Sequence, residues 1–85
     1  MLRLEVQKFA EEMEKQLKVN EHKGHWGDCD EGFLYAEMLN NAHILGNAMS
    51  AGFKGNRNEV VKRRCANIAN FAMMIADNWG RGEGE

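Results

Sequence analysis

The chain has 85 residues, a net charge of −2, no proline and two cysteines. This length predicts one small domain, and an apolar content of 44% is typical of a globular chain rather than a disordered one. No apolar run reaches the roughly 18 residues that cross a bilayer, and the charged start of the chain is unlike a secretory signal. We therefore expect a cytoplasmic protein, with its cysteines reduced.

The apolar pattern predicts a first helix from about Leu4 to Val19, ending at Asn20. Apolar residues recur in it at steps of three and four, the helical period: Val6, Phe9, Met13 and Leu17. A loop rich in glycine and turn-forming residues follows. Its last acids, Asp30 and Glu31, suit a helix N-terminus, where negative charge is favourable.

The second helix is predicted from Glu31 to about Met49. One of its faces is apolar except for a single amide: Leu34, Met38, Asn41, Leu45 and Ala48. After a short connection, Asn56 and Glu59 have the spacing of a capping box and predict the start of a third helix. That helix is expected to reach Asn78, with Gly80 as its stop and residues 81–85 as a flexible tail.

The third helix has apolar residues on two faces. One stripe steps by four and three: Val61, Cys65, Ile68, Ala72, Ile75 and Trp79. A second face carries Val60, Phe71 and Met74. A helix with two apolar faces needs two neighbours. We therefore expect an all-α, three-helix chain with a long helical hairpin, which forms a four-helix-bundle core in a dimer or tetramer.

Charge is unevenly distributed along the chain. Residues 38–76 carry one acid, Glu59, against five bases: Lys54, Arg57, Lys62, Arg63 and Arg64. Such a basic region can attract phosphate without a metal. The alternative is that these bases are solvated residues of a loop and a helix start.

Two segments resemble a known family. FAEEMEKQLKVNEHKGHW, from Phe9, and CANIANFAMMIADNWG, which ends at Gly80, are similar to small MazG-like proteins of bacteriophages and prophages. That family belongs to the all-α nucleoside triphosphate pyrophosphatases. The resemblance implies a helical domain over residues 1–80, assembly as a dimer or tetramer, and Mg²⁺-dependent release of pyrophosphate in the host bacterial cytoplasm.

The chain departs from this family at its metal ligands. Members carry Glu-x-x-Glu on the second helix and Glu-x-x-Asp on the third, a spacing that places each pair on one helix face. Here those positions hold Asn41 and Ile44, then Arg64 and Asn67. Because Mg²⁺ prefers carboxylate oxygens and a guanidinium repels it, we expect no catalytic residues, no metal site and no cofactor.

The resemblance and the substitutions together suggest a binding site without catalysis. Arg64 could pair with phosphate, while Asn41 and Asn67 offer amide donors and acceptors. In the family the loop lies near the site, so Lys23 could meet a phosphate and Trp26 could stack on a base. The expected function is binding, or sequestration, of an anionic nucleotide, for example one used in host defence.

Other interpretations stay open. Arg64 could point to solvent while Asn41 and Asn67 pair across the bundle, and Trp26 could simply close the bundle end. A phage protein of this kind could instead inhibit a host defence protein such as a nuclease, through acids of the first helix: Glu11, Glu12 and Glu14. Residual Mg²⁺-dependent pyrophosphatase activity would need ligands from Glu37 or Asp77. Zinc held by His22, His25 and Cys29 lacks a fourth ligand, and neither membrane nor direct nucleic-acid binding is expected.

Overall fold

The computed structural model describes the backbone of residues 1–21 and 24–84 and the side chains of residues 1–21 and 24–81. Three α-helices make up most of this part of the chain, α1 (Leu4–Asn20), α2 (Glu31–Ala48) and α3 (Arg57–Gly84), and it contains no β-strand. A short 3₁₀ turn, Trp26–Asp28, lies between α1 and α2. The all-α, three-helix architecture expected from the sequence is confirmed.

Helices α2 and α3 form an antiparallel hairpin, and α1 packs against α3. The predicted α2 face is confirmed, since Leu34, Asn41 and Ala48 are its buried residues. Ala66 of α3 completes the buried apolar set of the described residues. This set is small, because a short chain has too little volume to enclose many large side chains.

Amides supply the rest of the buried interior. Gln16, Asn41 and Asn70 are each more than nine-tenths buried. Asn70 joins two helices, since its Nδ2 donates to the Met13 carbonyl of α1 at 3.0 Å. Gln16 stays within α1, donating to Glu12 Oε2 at 2.9 Å. Buried amides are usually hydrogen-bonded, and the Asn70 contact fixes where α1 lies on α3.

Capping residues set the helix starts. Asp30 Oδ2 accepts from the Phe33 N–H at 3.1 Å, and Asn56 Oδ1 accepts from the Glu59 N–H at 3.2 Å. Both contacts satisfy an amide that a helix start leaves without a partner. The predicted cap at Asn56 and the predicted helix start at Asp30 are confirmed.

Arg57 ties the α2–α3 connection together. Its guanidinium donates to the Ala48 carbonyl at 2.9 Å and to the Ser50 carbonyl at 2.7 Å. These carbonyls come from the last residue of α2 and the turn after it. In the same connection Gly55 has φ +129°, and a Cβ there would meet the Phe53 ring at 3.4 Å. A larger residue would be strained at that position.

One sequence expectation about α3 was wrong. Gly80 does not end the helix, which continues to Gly84. Arg81 pairs with Asp77 one turn earlier, across Gly80, and this pair offsets part of the cost of a glycine inside a helix. Within the single chain, four residues of the apolar stripe are half-buried, Val61, Cys65, Ile68 and Ile75, while Ala72 and Trp79 are exposed. The flexibility of residues 81–85 stays a prediction.

Many large apolar side chains of the described chain face outward. They include Leu4, Val6 and Phe9 on α1, Phe33, Tyr35 and Leu39 on α2, and Trp79 on α3. Val6 and Phe9 belong to the predicted apolar face of α1, whose other members, Met13 and Leu17, are half-buried. No helix in the described residues combines the length and the apolarity that crossing a bilayer requires.

Candidate functional site

A cleft of about 680 Å³ runs between the helices and is closed at one end by the loop before α2. All three helices contribute to its walls. Four of the residues singled out in the sequence line it: Trp26, Asn41, Arg64 and Asn67. The fifth, Lys23, lies outside the described residues, as does His22. The cleft therefore unites every predicted site residue that the structure describes.

Asn41 is the centre of a polar cluster at one end of the cleft. Its Oδ1 accepts two hydrogen bonds, from Arg64 Nη1 at 3.0 Å and from Asn67 Nδ2 at 3.3 Å. Its own Nδ2 donates to the Glu37 carbonyl at 2.8 Å. The expected pairing of Asn41 with Asn67 across the bundle is thus present. Arg64 does not point into open solvent, because it is half-buried and turned towards α2.

Two polar atoms at the cleft have no hydrogen-bond partner. Arg64 Nε and Asn70 Oδ1 are both buried and unpaired. One is a donor on a cation and the other a neutral acceptor. An unpaired buried polar atom costs free energy, commonly about 1–3 kcal/mol, so such atoms are usually matched by water or a ligand. Both residues line the cleft, although these two atoms are themselves covered by the protein.

The loop before α2 is fastened to the end of α3. Trp26 Nε1 donates to Asp77 Oδ2, and Asn78 Nδ2 donates to the Trp26 carbonyl, each at 3.0 Å. His25 stacks on the Trp26 ring at 4.4 Å, and its Nδ1 accepts from the Gly27 N–H at 2.8 Å. Trp26 therefore both closes this end of the bundle and lines the cleft.

The carboxyl group of Asp77 has a lowered pKa. The hydrogen bond from Trp26, and next that from Arg81, lower the pKa of Asp77 from its usual value of 3.8. Both bonds favour the charged form of the carboxylate. Asp77 is thus engaged with the loop and does not line the cleft.

Arg64 and Trp26 lie at opposite ends of the cleft. The α3 backbone rises about 20 Å between Arg64 and Asp77, the residue that holds Trp26, at about 1.5 Å per residue. Between them, half-buried Phe71 and Met74 form part of the wall, to which the exposed Phe33 of α2 also contributes. The cleft thus has a polar end, an apolar middle and an aromatic end.

The basic region is not gathered at the cleft. Of its five bases, Arg64 alone lines it. Arg57 holds the hairpin connection, Lys62 pairs with Glu59 at 3.9 Å, and Lys54 and Arg63 are exposed. The alternative view, that most of these bases are solvated, is correct for this region.

Several cleft residues were missed in the sequence. Glu14, Glu37 and Asn70 line the cleft but were not singled out as ligand contacts. Glu37 lies one helical turn before Asn41, a spacing that could have placed it on the same face. Nothing in the sequence signals Glu14, because the crossing of α1 over α3 decides which of its residues reach the cleft.

Metal ligands do not converge in the described residues. There, no group of three or more His, Cys, Asp and Glu side chains is placed to hold a metal ion. Ile44, at one of the family's ligand positions, is half-buried and does not line the cleft. His25 and Cys29 both line the cleft, but the zinc set suggested by the sequence includes His22, which falls outside the described residues.

Comparisons of the chain with protein-family models, with curated proteins and with solved structures give no match.

Proposed function

We propose that this protein binds an anionic nucleotide in the cleft and does not hydrolyse it. The observation that carries the proposal is the half-buried Arg64 at the polar end of the cleft, the one Arg or Lys among the described residues that line it. A guanidinium is suited to phosphate, which it contacts through charge-assisted hydrogen bonds. The cleft volume of about 680 Å³ is within the range of small-molecule sites.

The polar cluster supports a fixed role for Arg64. Its Nη1 bond to Asn41 orients the guanidinium, and Asn67 shares the same acceptor. A side chain held in advance loses less conformational entropy when a ligand binds. The apolar wall that includes Phe71 and Met74 would receive the base, with Trp26 at the far end.

The resemblance to MazG-like pyrophosphatases supports a nucleotide as the ligand, and its altered positions support binding without hydrolysis. Asn41, Arg64 and Asn67 occupy positions where that family carries carboxylates. A cation fixed at such a position opposes Mg²⁺ and can take over part of its role towards phosphate. In a phage, such a protein would sequester a nucleotide, including one used as a host defence signal.

Binding of nucleotides to the purified protein tests the proposal. Equilibrium dialysis, with metal chelated, should show a nucleotide bound by the wild type and at least about tenfold weaker binding by Arg64→Ala, since a charged hydrogen bond contributes roughly 1.5–3 kcal/mol. Arg63→Ala removes an exposed neighbouring charge and is the matched control. Pyrophosphate release on adding Mg²⁺ would contradict the proposal.

Inhibition of a host protein is the competing function. The acids proposed for that contact do not form a uniform face: Glu11 is exposed, Glu12 accepts from Gln16, and Glu14 lines the cleft. If nucleotides do not bind and host-protein inhibition survives Arg64→Ala but fails on charge reversal of Glu11 and Glu14, this alternative replaces nucleotide binding.

We also propose that the chain self-associates. The exposed apolar residues on all three helices are more than a small monomer ordinarily presents to water, and burial between copies would remove them from it. A second hairpin packed alongside the first would complete a four-helix core.

A further inference from the structure

We infer that the cleft selects nucleotides with a single phosphate group, as a monoester or a diester, over nucleoside triphosphates. This inference rests on the proposed function and adds the ligand's phosphate content to it. Its basis is the balance of charge around Arg64. Among the described residues that line the cleft, Arg64 is the one Arg or Lys, whereas three are glutamates: Glu14, Glu21 and Glu37.

Glu37 is the acid that matters most. It is half-buried, while Glu14 and Glu21 are exposed and more strongly screened by water and salt. Glu37 and Arg64 line the same cleft, and both bond to Asn41, Glu37 through its backbone carbonyl and Arg64 through Nη1. A phosphate that approaches Arg64 therefore also approaches the Glu37 side of the cleft.

The charge of the ligand decides the balance between its attraction to Arg64 and its repulsion by Glu37. A single phosphate group carries at most about two negative charges at neutral pH, and one guanidinium can pair with it. Each additional phosphate of a triphosphate brings further negative charge but meets no second described cation in the cleft. Repulsion by Glu37 and the outer glutamates then opposes binding. A triphosphate would need Mg²⁺ to offset this charge.

Size does not explain the selection. The α3 backbone rises about 20 Å between Arg64 and Asp77, which bonds the Trp26 loop, at about 1.5 Å per residue. The cleft is therefore long enough for an extended triphosphate. The charge of the cleft disfavours a triphosphate, whereas its length admits one. Binding measurements can therefore separate an explanation by charge from one by size.

Isothermal titration calorimetry in chelating buffer tests the inference. The probes are the four common ribonucleosides, each as 5′-monophosphate, 3′,5′-cyclic monophosphate and 5′-triphosphate. We expect the preferred nucleoside to bind at least about tenfold more tightly with one phosphate than with three. This difference in affinity should shrink as the salt concentration rises. The monoester and cyclic diester arms show which linkage is preferred.

Glu37→Gln keeps the size of the side chain and removes its charge. It should therefore reduce the difference in affinity between the nucleotide with one phosphate and the triphosphate severalfold. Glu11→Gln is the control, because Glu11 is an exposed acid that does not line the cleft. A triphosphate that binds as tightly as the monophosphate in the absence of Mg²⁺ would overturn the inference and leave the proposed function standing. Failure of every probe to bind would overturn both.

Discussion

At the residue scale, hydrogen-bonded side chains organise this molecule more than large apolar ones do. Asn41 joins α2 to Arg64 and Asn67 of α3, Asn70 joins α3 to α1, and Trp26 joins the loop to Asp77. Each of these contacts is directional and fails if the helices shift. A small chain can thereby obtain specific packing from a core with few large side chains.

The Trp26–Asp77 contact predicts a dependence of stability on pH. Trp26→Phe keeps an aromatic ring but removes the donor that contributes most to the lowered pKa of Asp77. A lowered carboxyl pKa stabilises the fold above the usual value of 3.8, and the effect disappears as pH falls through the lower pKa of the folded state. In thermal melts, the melting temperature of the wild type should exceed that of Trp26→Phe most at neutral pH. This difference in melting temperature should shrink on acidification. A difference independent of pH would contradict this account.

The site predicted from the sequence was also a residue-scale inference. Asn41, Arg64 and Asn67 could be grouped in advance because each lies at a helical spacing that the resembling family uses for its ligands. The position of Glu14 depends on where α1 crosses the hairpin, and the bulk of Trp26 does not reveal that it bonds to Asp77. Sequence patterns specify faces of single helices, whereas contacts between helices require their packing.

At the element scale, polar contacts hold each helix in place. Asn70 Nδ2 donates to the Met13 carbonyl and so links α3 to α1. Its own Oδ1 has no hydrogen-bond partner. Arg57 bonds to carbonyls at the end of α2 and so closes the hairpin. These two residues act on different helix pairs and can be tested separately.

Removing the Asn70 amide should loosen α1. Asn70→Ala deletes a buried hydrogen bond and leaves a small void, and we expect it to lower the free energy of unfolding by about 1–3 kcal/mol. Urea denaturation followed by circular dichroism measures the loss. Asn58→Ala, at an exposed position of the same helix, should change stability by less than about 0.5 kcal/mol. Equal effects of the two substitutions would refute this linking role of Asn70.

Arg57 should not be replaceable by lysine. The guanidinium fork reaches two carbonyls at once, which a single ammonium does not match, so Arg57→Lys should cost roughly 1 kcal/mol of stability. Arg63→Lys makes the same change at an exposed position and should be near neutral. Urea denaturation compares Arg57→Lys with Arg63→Lys. Equal stability of both variants would show that the two guanidinium hydrogen bonds of Arg57 are dispensable.

At the scale of the whole molecule, the unpartnered apolar surface is the main feature. One face of α2 is exposed and carries no charge: Gly32, Tyr35, Leu39, Ala42 and Gly46. The small residues on it would let another helix approach closely. This face lies away from the buried residues Leu34, Asn41 and Ala48, so a partner there would leave the cleft open.

Self-association through this face gives a direct prediction. Leu39→Lys should convert the oligomer to monomer, because it places a charge in the middle of the apolar face and would bury it in the interface. Asn40→Lys adds the same charge at the neighbouring exposed position, on a different side of the helix, and should leave the oligomer intact. Sedimentation velocity distinguishes the two. If the wild type is itself a monomer, the proposed self-association is wrong.

The sequence by itself determined the all-α class, the helix starts at Asp30 and Asn56, and the buried face of α2, since local capping and helical periodicity govern these features. It was wrong about the end of α3, because the Asp77–Arg81 pair supports a turn beyond Gly80. The tertiary structure alone decided that Glu14 reaches the cleft and that Trp26 bonds to Asp77. Those outcomes depend on how three helices cross, and side-chain spacing along one helix does not contain that information.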